Sequence, residues 1–191
     1  MTDHDSTELV GRDPDSQTTD QVVDEEQESY FVINLGNNIP YAFQAEYVDH
    51  VAPVQQVLRV PTAPDPLFGI VYLRQRIVTV VDITKMLSLS SDKKEVKADW
   101  QLDPRFVVLD IDGVSFAIKA DKVFGISDVS IDSIKAVDQK ASQDESGKIF
   151  GGQFEDPNGV VTILRADVLV SILLENQSRV GELPTPKAPS S

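Results

Sequence analysis

Between residues 30 and 175 the apolar positions fall in short β-branched runs separated by polar turn signals, a pattern that predicts many short strands and few helices. The pattern repeats. Residues 31–54, FVINLGNNIPYAFQAEYVDHVAPV, lie without a gap over residues 106–129, FVVLDIDGVSFAIKADKVFGISDV, at an offset of 75. Six of the 24 positions are identical, and Tyr41/Phe116, Ile39/Val114 and Glu46/Asp121 are close replacements. Each copy reads as a strand, a polar turn (Asn37-Asn38 or Asp112-Gly113), a second strand, and an Ala-acid-x-Val step into a short turn. Asp-Gly between apolar runs is a strong hairpin signal, because both residues tolerate positive φ. Residues 69–87 and 152–170 continue the copies, with Gly69/Gly152, Val78/Val161 and Thr79/Thr162 coinciding. They read as strand, turn, strand and short helix, the turns lying near Gln75-Arg76 and at Asp156-Pro157-Asn158-Gly159. Ala166, Leu169, Ile172 and Leu173 recur at helical spacing, and Asp82 and Asp167 stand where N-caps are useful.

Polar segments divide this core. Residues 90–104, SSDKKEVKADWQLDP, read as a connector closed by a proline that disfavours helix at Asp103. Residues 138–147 interrupt the second copy where the first has VPTAPDP at 60–66, and both are expected as surface loops. The sum is a mainly β fold of two similar units, approximately 30–90 and 105–165, packed together as small barrels and closed by a helix over 166–175. Residues 1–29 hold ten acids and one base, Arg12, with almost no large apolar residue, so they are expected as a disordered acidic tail. Residues 176–191, with Pro184, Pro186 and Pro189, read as a flexible tail.

Charge and chemistry then narrow the function. Over 191 residues, 17 Lys plus Arg stand against 31 Asp plus Glu, a net charge of −14 that repels phosphate backbones and anionic lipid heads. Trp100 is the single tryptophan, and aromatics are not interleaved with Lys or Arg as a base-stacking surface requires. Neither nucleic acid nor direct membrane insertion is expected. No apolar run approaches a spanning helix, the start Met1-Thr2-Asp3-His4-Asp5 does not read as a signal peptide, and cysteine is absent, so a cytoplasmic protein is expected. His4 and His50 are too far apart for a metal pair, and no cofactor is expected. Asp110/Asp112 and Glu155/Asp156 flank turns, where Asp bonds its own backbone more readily than it works as an acid–base pair. Ser146-Gly147-Lys148 lacks the first glycine and the final hydroxyl of a phosphate loop, and no nucleophile elbow is present. Catalytic residues are therefore not expected. What stands out is apolar content at presumed edges and turns, at Leu67-Phe68, Val71-Tyr72-Leu73 and Val48–Val51, which is either core or a partner-docking patch.

These residues resemble the signature of CheW-like domains over about residues 30–174. The best-matching block is Gly69-Ile70-Val71-Tyr72-Leu73-Arg74, then Ile77-Val78-Thr79-Val80-Val81-Asp82. The family pattern there is Gly-Val-x-Asn-Leu-Arg-Gly, a two-residue step, and Val-Pro-Val-x-Asp-Leu. The resemblance implies two SH3-like five-stranded β-barrel subdomains with short helices and a C-terminal helix. It also implies a non-catalytic adaptor that couples the cytoplasmic tip of a chemoreceptor to the regulatory domain of a CheA-type histidine kinase. By position, Arg74 corresponds to the family's functional arginine, Val48 to an aliphatic partner contact, Gly69 to the glycine entering the signature strand, and Asp82 to the aspartate closing it. Four residues depart from the pattern: Gln75 for glycine, Tyr72 for asparagine, Thr79 for proline, and His50 for a commonly acidic residue. Tyr72, Gln75 and His50 join the expected partner-binding residues, and Gln75 implies a different turn or a small strain. The alternatives are a regulator that binds only one partner and sequesters it, and a small-molecule sensor.

Overall fold

The runs Tyr30–Ile33 and Phe106–Leu109 have no polar alternation because the strands they form are buried on both faces. In the computed structural model, residues 26–37, 39–61, 63, 65–87, 89, 101–137 and 148–180 are described. They build β1 (Gln27–Asn34), β2 (Pro40–Gln44), a 3-10 turn (Ala45–Tyr47), β3 (Val48–Pro53), β4 (Leu67–Leu73), β5 (Arg76–Val81) and α1 (Ile83–Met86). The second copy follows as β6 (Arg105–Ile111), β7 (Val114–Ala120), β8 (Lys122–Ser130), a 3-10 turn (Ile131–Ser133), β9 (Phe150–Asp156), β10 (Gly159–Leu164) and α2 (Ala166–Val180). The fold is mainly β, as the pattern predicts.

The strands form two five-stranded sheets, ordered β8-β1-β2-β10-β9 and β3-β6-β7-β5-β4. Each sheet takes two strands from one copy and three from the other. The units expected at 30–90 and 105–165 are therefore interleaved: β1 and β2 pair with β8 and β10, while β6 and β7 pair with β3 and β5. The 3-10 turn at Ala45–Tyr47 carries the chain from one sheet to the other, and the single residue Asp121 does the same between β7 and β8. Periodicity reports which strands exist and cannot report which copy they pair with.

Three apolar clusters follow from this exchange. Tyr30 and Val32 point into the first sheet's own core with Phe154 and Val161, while Phe31 and Ile33 point into a core shared between the sheets. In β6, Phe106 and Val108 serve the second sheet's core with Val71 and Leu73, whereas Val107 and Leu109 enter the shared one. The predicted apolar stripe of α2 also lands there, with Ala166, Leu169 and Leu173 all buried.

Several boundaries differ from expectation. β1 begins at Gln27, inside the segment expected as tail, because Gln27, Glu28 and Ser29 pair with Ser130, Val129 and Asp128. Ser29 Oγ also donates to Asp128 Oδ1 at 2.5 Å. α2 runs past residue 175 to Val180, so the expected C-terminal tail opens as helix. Asp82 occupies the N-cap of α1 without bonding its backbone amides, accepting instead from Thr84 Oγ1 at 2.5 Å. The expectations for residues 1–25, 90–100, 138–147 and 181–191 lie outside the described residues. No helix among the described residues is long and apolar enough to cross a membrane.

Candidate functional site

The β4–β5 hairpin turns through Arg74 and Gln75, at φ 42° and 65°, with Leu73 paired to Arg76. Positive φ at both central residues is the geometry whose twist matches the flanking strands, so the tight turn is kept although neither residue is glycine. The turn lies one residue before its expected place at Gln75-Arg76. Burial explains the shift, since Val71 and Leu73 must both face the core, at 3% and 2% exposure, and Tyr72 between them must face out. Tyr72 is 62% exposed, and directly across from it Ile77 is 71% exposed. The apolar residues that the sequence left between core and patch are thereby sorted. Val71 and Leu73 are core, Leu67, Phe68 and Val48 are half-buried, and Tyr72 and Val51 are surface.

Beside this hairpin β3 carries a bulge. Its register moves from Val48 opposite Leu109 to His50 opposite Val108, which leaves Asp49 as the extra residue. Asp49, His50, Leu73, Arg74, Arg76, Val78, Val108 and Ser115 line one depression of about 280 Å³ at the end of the second sheet's core. The His50 side chain is 9% exposed, and its Nδ1 lies 3.0 Å from Asp49 Oδ2. Its Nε2 is buried with no hydrogen-bond partner, alone in this among the described residues. Ser115 donates its hydroxyl hydrogen to the Asp110 carboxylate. Arg74 and Arg76 are exposed, and none of the ion pairs among the described residues includes either of them. The local pairing of Arg74 with Asp82 or Glu46, the plain alternative to a partner-facing role, is not formed.

Shifted ionisations lie elsewhere. A bond from Arg165 holds the Asp167 carboxyl below its ordinary range, and a bond to Asp65 raises Lys85. Burial raises the hydroxyls of Tyr30, Tyr41 and Tyr47.

Arg74 and His50 thus meet at one depression, with Tyr72 and Gln75 on the same hairpin. The other three expected residues lie away from that depression. Val48 is half-buried against the shared core. Gly69 is buried, and a Cβ on it would sit 2.5 Å from the Leu58 carbonyl oxygen. Asp82 lines a separate depression with Lys119 and Asp121. Sequence reasoning missed Arg76, Asp49 and Ile77 as neighbours of Arg74. Correct placement of the turn would have found Arg76 and Ile77; the bulge that brings up Asp49 has no local signature.

The described architecture agrees with known proteins. A family model described as CheW-like domain matches residues 29–173. The crystal structure of the scaffolding protein TtCheW from Thermoanaerobacter tengcongensis superposes with a TM-score of 0.58 at 18% identity, covering 74% of this chain and 86% of that one. A search of curated proteins returns no match.

Proposed function

The chain belongs to the CheW-like domain family, and from that premise we propose that it is a non-catalytic adaptor of a chemotaxis or motility-type pathway. It holds the cytoplasmic tip of a chemoreceptor and the regulatory domain of a CheA-type histidine kinase in one cytoplasmic array. Its work is coupling through binding free energy, with no bond made or broken. The observation that carries this reading is the β4–β5 hairpin. Tyr72 and Ile77 are an exposed apolar pair beside two guanidiniums that form no ion pair among the described residues, in the block that carries the family signature. Exposed aromatic and arginine side chains together are the composition of an interface centre. In this reading Arg74, Tyr72, Gln75 and His50 belong to the contact surface, while Val48, Gly69 and Asp82 hold the strands that present it.

Calorimetric titration against the regulatory domain of a CheA-type kinase from the same genome, and separately against the receptor tip, tests the proposal. Saturable binding to both is expected. Arg74→Glu is expected to weaken at least one by about tenfold, or ~1.4 kcal/mol, with an unchanged melting temperature. Binding to the kinase without the receptor would make the protein a sequestering regulator, the reading that the altered residues Tyr72, Gln75, Thr79 and His50 favour. Binding to neither overturns the adaptor role.

A further inference from the structure

A buried imidazole nitrogen without a partner is destabilising, and the described residues offer His50 Nε2 none. Asp49, acceptor-only when ionised, takes the Nδ1–H across 3.0 Å. Around the same depression Arg74 and Arg76 present donors and no acceptor, and neither forms an ion pair among the described residues of a chain of net charge −14. Ser115 spends its hydroxyl hydrogen on Asp110, and Leu73, Val78 and Val108 contribute only hydrocarbon. Asp49 is the one anionic acceptor lining the depression and is already engaged by Nδ1, so among the described residues neither guanidinium has an ion-pair partner and Nε2 has no acceptor.

Resting on the adaptor reading, we propose that this depression is a carboxylate-binding site that takes an acidic side chain of the docked protein partner, held by Arg74, Arg76 and the Nε2–H of His50. Arginine forks match the two oxygens of a carboxylate, and such charge-assisted bonds are about twice as strong as neutral ones. A side chain delivered on a protein surface fits better than a free anion. The aliphatic floor and the flanking Tyr72 and Ile77 can be covered only by apolar groups that a free anion does not bring.

A proton follows from the geometry. With Nδ1–H committed to Asp49, a neutral His50 has a lone pair at Nε2, which repels a carboxylate. Binding therefore takes one proton from solvent onto Nε2, giving an imidazolium that donates to Asp49 on one side and to the guest on the other. The charged groups facing this imidazole are Asp49 on its own strand, Arg74 and Arg76 on the hairpin, and Asp110 behind Ser115. Proton uptake on binding makes the complex tighter at lower pH and weaker as pH rises.

The test uses the isotopically labelled full chain and a capped glutamate, N-acetyl-glutamate methylamide, with the capped glutamine as its uncharged isostere. Glutamate is expected to shift the Arg74 and Arg76 Nε–H and His50 ring signals saturably, and glutamine to leave them unmoved. The glutamate affinity is expected to fall at least about threefold from pH 6 to pH 8. Arg76→Gln, at an exposed position, is expected to weaken it by a similar factor, and His50→Gln to abolish its pH dependence. Equal response to glutamine, no response, or a response indifferent to Arg76→Gln overturns the site, and pH-independent binding removes His50 from it. If the probe fails while kinase or receptor still binds, the adaptor reading survives and this inference falls. If the probe binds while both proteins fail to, the partner assignment falls instead.

Discussion

Gln75 sits at φ 65° and Arg74 at φ 42°, a left-handed pair in which each Cβ crowds the following carbonyl at a cost of roughly 1–2 kcal/mol. Glycine removes that crowding but loses more entropy on folding, by about 0.5–1 kcal/mol. The balance favours Gln75→Gly by about 0.5–1 kcal/mol, read as a higher urea midpoint at unchanged slope. A lower midpoint would show that the Gln75 side chain stabilises the turn by a bond of its own. Asn34 presents the opposite case, a fully buried amide that holds the β1–β2 turn. Its Oδ1 accepts from the Gly36 amide at 2.9 Å, and its Nδ2 donates to the carbonyls of Asn37 and Ile39. Asn34→Leu leaves those groups unsatisfied and is expected to cost about 1–3 kcal/mol in the same measurement. Turn chemistry of the Asp112-Gly113 kind was legible because it is local, and Ile111 does pair with Val114 across it. The Asn34 bonds were not, because a polar residue in an apolar run carries no mark of what it will bond.

Glycines at matching positions of the two copies show what an element demands of its neighbours. The segment at Leu58 crosses β4 and bridges Ile70, as Lys135 bridges Gln153 on β9. At these crossings a Cβ on Gly69 would meet the Leu58 carbonyl oxygen at 2.5 Å, and one on Gly152 would meet Ile134 Cγ2 at 2.7 Å. Gly69→Ala must move the Leu58 backbone well aside, whereas at Gly152 the severe clash is with the Ile134 side chain and the Lys135 carbonyl oxygen, at 3.2 Å, must give only slightly. The first is expected to cost about 1–3 kcal/mol and the second less, compared by thermal melts of the two variants. Bulges recur likewise, since Asp49 and Phe124 are the extra residues at equivalent points of β3 and β8. Strands, turns and the α2 face were readable from apolar spacing. The candidate site was readable only in part, because it is assembled by a bulge and a turn whose register depends on pairing. At the head of α2, Arg165 holds the Asp167 carboxyl below its ordinary range. A lowered carboxylate contributes stability above its unfolded value and loses it as pH falls through the folded one. Arg165→Gln is therefore expected to lower stability at neutral pH and to flatten the acid limb, the difference from the parent chain vanishing as pH falls below the ordinary carboxylate range.

Exchange of strands between the copies makes the molecule a single cooperative object, although its sequence is two. Residues 26–89 supply β1 to β5, yet β1 and β2 have their outer neighbours β8 and β10 in the second copy, and β3 and β5 have theirs in β6 and β7. Separating the copies leaves Phe31, Ile33, Tyr41 and Phe43 facing water where Val107, Leu109, Phe116 and Ile118 had been. Full burial of each such side chain is worth about 1.5–3 kcal/mol, so the shared core alone exceeds the ~5–15 kcal/mol by which a domain is normally stable. Neither copy can then fold by itself, and neither sheet can melt without opening the other. Calorimetry of the full chain is expected to give one transition whose van't Hoff and calorimetric enthalpies agree. Fragments 26–100 and 101–180 should each show no cooperative melt. Two transitions, or a folded fragment, would mean that the interleaved pairing is not what holds the chain together. The same rigidity bears on the adaptor role. His50 on β3 and Arg74 beside β4 come from the two edge strands of one sheet and meet at one depression, so the order β3-β6-β7-β5-β4 sets how they face each other. Substitutions that shift β6, β7 or β5 are thus expected to alter the spacing of His50 and Arg74 and to weaken any binding at that depression.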